Sequence, residues 1–177
     1  MRDTLKLGAI LMVTCIIAAA LLSVVYGVTK PQIEENERLA NIRKRQQVLP
    51  DAKTFEEKTF ADETYHVGID ESGKAIGSVI MAAPRGYGGP IKLTIGVAPD
   101  GTIAAVALGK LDQQETPGLG AKVVKPKFTD QFKGKIPAQL KVKQDGGEID
   151  AITAATITSR AATDGIREKL EKFLNSK

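Results

Sequence analysis

From Leu7 to Thr29 the chain carries no charged side chain. The run, LGAILMVTCIIAAALLSVVYGVT, meets the length of about 20 apolar residues that a helix needs to cross the hydrocarbon core of a bilayer. A secretory signal has an apolar core of only about 7–15 residues and ends in a small-x-small cleavage site. This run is longer and closes on Val-Val-Tyr-Gly-Val-Thr. Acylation at Cys15 is the lipoprotein alternative, but Met12-Val13-Thr14 is a poor lead-in and the apolar stretch continues past it. The run reads as a retained anchor, which commits the residues behind it to one side of a bilayer. Lys and Arg do not fix which side, since Arg2 and Lys6 flank one end and Lys30, Arg38, Arg43, Lys44 and Arg45 the other.

The 177 residues suit one modest domain plus that anchor. Net charge is +4, of which Arg2, Asp3 and Lys6 supply +1, leaving +3 for everything else. The lysines are scattered and Trp is absent, so no basic patch interleaved with aromatics marks a nucleic-acid binder. Cys15 is the only cysteine and lies in the apolar run. His66, the only histidine, lies in a strand-like stretch and reads as a structural or exposed residue. The chain therefore holds no iron–sulfur or haem ligand set, and any redox chemistry needs a bound cofactor.

Behind the anchor, Pro31 to Leu49 reads as a separate juxtamembrane helix. Pro31 suits its first turn, Glu34, Glu35 and Glu37 suit its positive end, and Pro50 terminates it. The division that follows is residues 1–29 for tail and span, 30–50 for the juxtamembrane helix, and 51–177 for the extramembrane domain. Ala52 to Asp62 shows little pattern. Tyr65–Asp70 and Ala75–Ala82 flank Glu71-Ser72-Gly73-Lys74, and Ile91–Ala98 and Ile103–Leu108 flank Pro99-Asp100-Gly101-Thr102. Both pairs read as hairpins. Ile91, Leu93, Ile95 and Val97 alternate with Lys92, Thr94 and Gly96, which predicts a strand with one buried face. Phe128 to Phe132 predicts a short helix, and Leu140–Lys143 and Ile149–Ile152 further short strands. Ile157 to Leu174 predicts an amphipathic helix with Ile157, Ala161, Ile166, Leu170 and Phe173 on one side. Gly165 weakens it by up to about 1 kcal/mol. The fold class is α+β: one transmembrane helix, then a small antiparallel-sheet domain closed by a C-terminal helix.

Two loops carry the candidate chemistry. In Glu115-Thr116-Pro117-Gly118-Leu119-Gly120, glycines allow close backbone approach to a flat or charged ligand, or simply make a turn. Asp150-Ala151-Ile152-Thr153-Ala154-Ala155-Thr156-Ile157-Thr158-Ser159 leads into the last helix. Its hydroxyls are either N-caps or sit where free amides and the helix dipole favour a phosphate. Asp145, Glu148 and Asp150 form an acidic group that reads as a solvated turn before it reads as a metal site.

Asp-x-x-Thr-Ala-Ala-Thr, from Asp150 to Thr156, resembles the flavinylation motif Asp-x-x-(Ser/Thr)-Gly-Ala-Thr of the FMN-binding domain. That domain occurs in the G subunit of Rnf/Rsx electron transport complexes and in the C subunit of the sodium-pumping NADH:quinone oxidoreductase. Glu115–Gly120 and the Gly-Tyr-Gly-Gly stretch at Gly86–Gly89 resemble the same family, in family order behind an N-terminal span. Ala154 stands where the motif has Gly.

The resemblance implies one covalent FMN, its phosphate esterified to Thr156 by an FAD-dependent FMN transferase that reads the stretch from Asp150. It implies cofactor contacts from Glu115, Thr116, Gly118, Leu119, Gly120, Thr153, Ala155 and Thr158. Glu115 is either a flavin partner or a loop-fixing carboxylate, and Asp150 either serves the transferase or caps the turn. It implies no metal and no catalytic residue of the chain's own. The chain would be one electron relay in an Rnf-type complex that couples ferredoxin:NAD oxidoreduction to Na+ or H+ transport, with the other membrane subunits and the lipid bilayer as partners. The N-terminus would be cytoplasmic and the domain outside the cytoplasm, on the cell inner or plasma membrane. The alternatives are a C-type subunit of the quinone oxidoreductase, which is generally longer between span and motif, and a flavin-free anchored interaction module.

Overall fold

The computed structural model describes residues 2–60, 63–109 and 120–176. The chain divides into two compact units, Met1–Ile42 and Arg43–Lys177.

The described residues of the first unit are all helical and belong to α1, Arg2–Val48. Its apolar side chains, among them Leu7, Ile10, Leu11, Ile16, Leu21 and Val25, are exposed, and the helix is long and apolar enough to cross a membrane. The predicted break at Pro31 is not there; Pro31 lies inside one continuous helix. A proline in a helix removes one amide donor and crowds the carbonyl a turn earlier. Here Thr29 Oγ1 donates to the carbonyl of Val25 at 2.9 Å, adding a side-chain bond within the turn before the proline.

In the second unit five strands form one antiparallel meander, β1 Thr54–Phe60, β2 Glu63–Ile69, β3 Ala75–Ala82, β4 Leu93–Val97 and β5 Ile103–Leu108, in the order β1-β2-β3-β4-β5. The hairpin turns form as the sequence predicts. Asp70 Oδ1 accepts from the amides of Ser72 and Lys74, and Asp100 Oδ1 accepts from the amide of Thr102. β1 falls in the stretch that shows little pattern. It is an edge strand whose TFEEKTF sequence leaves few side chains to bury, so alternation has nothing to mark.

The sheet is covered on both faces. One face carries the main core, where Ile80, Leu93, Ile95 and Val106 meet Phe128, Phe132, Leu140, Ile149, Ile166 and Leu170. Phe128 and Phe132 are fully buried and pack edge to face at 5.3 Å, each contributing about 1.5–3 kcal/mol by burial alone. On the other face a smaller cluster of Val48, Leu49 and Ala52 packs on Val79 and Ala107. β4 is therefore buried on both faces rather than one. Its alternate positions are Thr94 and Gly96, and a Cβ on Gly96 would meet the Val48 carbonyl oxygen at 2.6 Å. A small residue there lets the end of α1 lie on the strand. His66, on β2, is buried; burial first, then nearby Arg45, lowers its pKa below the ordinary histidine value.

From Gly120 to the last helix the described residues run in short turns: 3-10 turns at Gly120–Val124 and Asp130–Phe132, a one-turn helix α2 at Pro126–Thr129, and further 3-10 turns at Pro137–Gln139 and Lys143–Asp145. The two predicted strands here shrink to a single parallel bridge between Val142 and Ile149. The turns on either side of Leu140–Val142 use the backbone that a ladder would have needed.

The last helix, α3, spans Thr156–Asn175. Its buried face is Thr158, Ser159, Ala162, Thr163, Ile166 and Leu170. Ile157, predicted for the core side, is 58% exposed. Hydroxyl residues hide the true stripe: Thr163 Oγ1 donates to the Ser159 carbonyl at 2.8 Å, so a polar side chain satisfies itself inside the core. Gly165 has a packing reason. A Cβ there would stand 2.4 Å from Pro84 Cγ, so the glycine admits the loop after β3 against the helix.

Candidate functional site

The segment Asp150–Ala155 reaches α3 through a tight turn. The Ala155 amide donates to the Ile152 carbonyl at 2.9 Å, and Ala154, third residue of that turn, has φ +61°. It is the only non-glycine residue with positive φ among the described residues. A turn with its third residue at positive φ asks for glycine there, and an alanine held there costs on the order of 1–3 kcal/mol. The Gly of the motif that the sequence resembles thus has a conformational meaning, and this chain meets the same conformation with a methyl group.

Ala155 is the residue before the helix, and no side-chain hydroxyl caps the helix start. Neither Thr153 nor Thr156 is the N-cap; Thr156 is the first helical residue. Ser159 does the tying instead. Its buried Oγ accepts from the Ile152 amide at 3.0 Å and donates to the Ala155 carbonyl at 2.9 Å, fastening both sides of the turn to the first turn of α3. The Ser159 amide donates to the Ala155 carbonyl as well, the first regular bond of the helix, so the amides of Thr156 and Ile157 have no intrahelical acceptor.

Burial separates the hydroxyls that the sequence clusters. Thr153 is exposed, Thr156 is half-buried, and Thr158 and Ser159 are buried at 1% and 0%. Of these four, only Thr153 and Thr156 are not buried. Thr158, predicted as a cofactor contact, faces the interior, and Ala155 is 8% exposed.

Asp150 is engaged on every side. Its carboxylate pairs with Lys143 at 2.8 Å, its amide donates to Gln131 Oε1 at 2.7 Å, and its carbonyl accepts from Gln131 Nε2 at 3.3 Å. The sequence gives no local sign that Gln131 has a partner nineteen residues away. The neighbouring acids are also paired. Arg160 forks onto Asp145 at 2.6 and 2.8 Å and holds that carboxyl below the usual aspartate range, and Lys135 pairs with Glu148. Each acid of the suspected metal group thus has its own cation, and Asp145–Arg160 fixes the turn before the loop to α3.

Beside the loop opens a groove of about 520 Å³, lined by Lys122, Lys125, Lys127 and Gln131 on one side and Asp150, Ala151, Ile152 and Thr153 on the other. Gly120 begins the 3-10 turn that carries Lys122. Glu115, Thr116, Gly118 and Leu119 lie outside the described residues. The three groove lysines are not among the predicted site residues, because exposed lysines scattered at irregular spacing look like an ordinary solvated surface.

The FMN-binding domain family matches residues 86–171, and the RnfG N-terminal region family matches residues 1–48. The chain is 33% identical to the G subunit of the proton-translocating ferredoxin:NAD(+) oxidoreductase complex of Clostridium ljungdahlii, over 92% of this chain and 87% of that one. It is 35% identical to the G subunit of the Na(+)-translocating ferredoxin:NAD(+) oxidoreductase complex of Acetobacterium woodii, over 96% and 91%. Among solved structures it is similar in fold to NqrC of Shewanella oneidensis, with a TM-score of 0.50 and 24% identity, covering 65% of this chain and 62% of that chain.

Proposed function

This chain belongs to the G-subunit family of Rnf-type ion-translocating oxidoreductase complexes, and on that premise we propose that it is a membrane-anchored electron relay with one FMN esterified to Thr156. It acts within a complex that couples ferredoxin:NAD oxidoreduction to Na+ or H+ translocation, and is not a complete enzyme alone. The other membrane subunits are its partners. Residues 1–29 anchor it, 30–50 form the juxtamembrane segment, and 51–177 form the FMN-binding domain. The N-terminus is cytoplasmic and the domain lies outside the cytoplasm. When bound, the flavin supplies the reversible uptake and release of electrons that no side chain of the domain provides.

The observation that carries the reading is the placement of Thr156. It is a half-buried hydroxyl residue that opens a 20-residue helix, next to amides with no helical acceptor. An anion bonded there is favoured by those amides and by the positive end of the helix dipole. The residues present fit the group: the ester oxygen comes from Thr156, the phosphate meets the helix start, and the groove from Lys122 to Thr153 offers room beside it. Ser159 and Gln131 tie the loop down, and Ala154 supplies the positive-φ turn that leads into Thr156. Attachment needs an FAD-dependent FMN transferase. In that step the bond from the FMN phosphorus of FAD to the oxygen bridging it to the AMP phosphorus would break, Thr156 Oγ1 would bond the FMN phosphorus, AMP would leave with the bridging oxygen, and the hydroxyl proton would pass to the enzyme's base. Asp150, already tied to Lys143 and Gln131, displays the motif to that enzyme. Glu115, Thr116, Gly118 and Leu119 are proposed to hold the ring.

The test is in-gel flavin fluorescence of the denatured chain, made in a host with the transferase, alongside mass spectrometry of the 150–160 peptide. Thr156→Ala abolishes the covalent signal, while Thr153→Ala and Thr158→Ala at most reduce it. Retained fluorescence in Thr156→Ala moves the site, and no flavin on the wild-type peptide favours the anchored interaction module instead. Protease added to cells stripped of their outer barrier cuts after Lys30 if the orientation is right; cleavage in inverted vesicles alone reverses it.

A further inference from the structure

We propose that the groove beside the attachment turn seats the flavin ring, and that Lys122, Lys125 and Lys127 stabilise its negatively charged reduced form and so raise its reduction potential. The inference rests on the reading that Thr156 carries FMN.

Three observations carry it. The groove is large, about 520 Å³, and runs along the segment that ends in the attachment turn, with Thr153 at its lip. Its charge is one-sided. Lys122, Lys125 and Lys127 line it and are exposed, and none has a carboxylate partner among the described residues. The one acid in the lining, Asp150, is already balanced by Lys143 at 2.8 Å, and the Gln131 amide is occupied by the Asp150 backbone. The acids and amides of the groove are thus spoken for, whereas the ammonium groups remain to face whatever enters.

The chemistry separates two roles for those cations. The phosphate carries the same charge whether the ring is oxidised or reduced, so a lysine held on the phosphate stabilises both forms alike and leaves the potential unchanged. Two electrons and one proton convert the neutral oxidised ring into a reduced ring with one net negative charge. An ammonium group near the ring favours only that product, by an attraction that grows as water is excluded from the groove. All three lysines come from the turns between Gly120 and Thr129 and none from the loop to α3 or the first turn of that helix, which fits the second role.

The experiment uses the full chain in detergent, flavinylated in a host with the transferase. Lys122→Gln, Lys125→Gln and Lys127→Gln are made singly and together, with Lys→Arg counterparts and the charge reversal Lys125→Glu. Two readouts are taken on each protein: covalent flavin by denaturing-gel fluorescence, and flavin potential by optical redox titration at two salt concentrations. The expected result is unchanged attachment, a negative shift of the potential that is largest in the triple variant, a larger shift for Lys125→Glu than for Lys125→Gln, little change in the Arg variants, and smaller differences at high salt. Full attachment with an unmoved potential in the triple variant and in Lys125→Glu overturns the proposal. Loss of attachment in the triple variant, with the wild type modified, also overturns it and assigns the lysines to the transferase step. A wild-type chain without covalent flavin removes the reading beneath both, and is seen in the first readout before any titration.

Discussion

The two ends of α3 are built by opposite rules. At its C-terminal end Leu170 is fully buried, Phe173 meets Tyr65 edge to face at 5.3 Å, and Lys169 and Lys172 both pair with Glu63 on β2. At its N-terminal end there is no capping side chain, the preceding turn holds an alanine at positive φ, and the first residue is only half-buried. Packing fixes one end of the helix so that the other end can depart from favourable local structure and still keep its shape. Such departures concentrate at functional sites and are tolerated because the surroundings over-determine them.

The comparison is broken most severely from the packed end. Leu170→Ala is expected to cost about 2–5 kcal/mol, read as a lower melting temperature of the full chain in detergent. At temperatures where the variant is folded it should still accept flavin at Thr156, because the lesion lies at the far end of the helix. Ser159→Ala attacks the other end. It strands the Ile152 amide in a partly buried site, at a cost of about 1–3 kcal/mol. Unlike Leu170→Ala, it should slow flavin attachment at a temperature where the fold is intact, measured as the time course of in-gel fluorescence. If the two variants slow attachment equally once matched for stability, the division of labour between the ends is wrong.

Ala154→Gly goes the other way. Glycine adopts the observed φ without a Cβ penalty, so the variant should gain about 1 kcal/mol despite its freer unfolded chain. Attachment should proceed at least as fast, while Ala154→Val should lose both stability and attachment. A melting temperature that falls in Ala154→Gly would mean that the turn does not hold its positive φ in solution.

The smallest effect belongs to Glu63. Hydrogen bonds from Lys169 first, then Lys172, lower its pKa from 4.5 to about 2. Its side chain is 39% exposed, so solvent screening limits the contribution to below about 1 kcal/mol. Because the folded value lies below the unfolded one, the stabilisation is complete above pH 4.5 and disappears as pH falls towards 2. Glu63→Gln should flatten that part of the stability-versus-pH curve, most clearly at low salt.

What can be read from the sequence follows the same division. The anchor, the four hairpin strands, Phe128–Phe132 and the body of α3 announce themselves through apolar period and turn residues, whose partners lie within a few positions. The motif from Asp150 to Thr156 is readable by resemblance, as is the sense of a glycine at position 154. β1 is not, because an edge strand of charged residues has no alternation to show. Hydropathy misplaces the helix register at Ile157 because Ser159 and Thr163 are buried through hydrogen bonds, while a hydropathy pattern ranks them as polar. The groove lysines and Gln131 are invisible for a different reason: their importance lies in what the fold brings opposite them.

Gln131 shows how far that reaches. With one side-chain amide it both gives to and takes from the Asp150 backbone, as a neighbouring strand would, in a place where no strand exists. A single residue on a short turn thereby acts as a splint for a loop nineteen positions downstream. Two chains with identical residues from 150 to 156 will therefore present different shapes to a modifying enzyme if only one of them keeps a carboxamide at position 131. If a transferase reads Asp150–Thr156 as proposed, that word is seven residues long, but part of its spelling is written elsewhere.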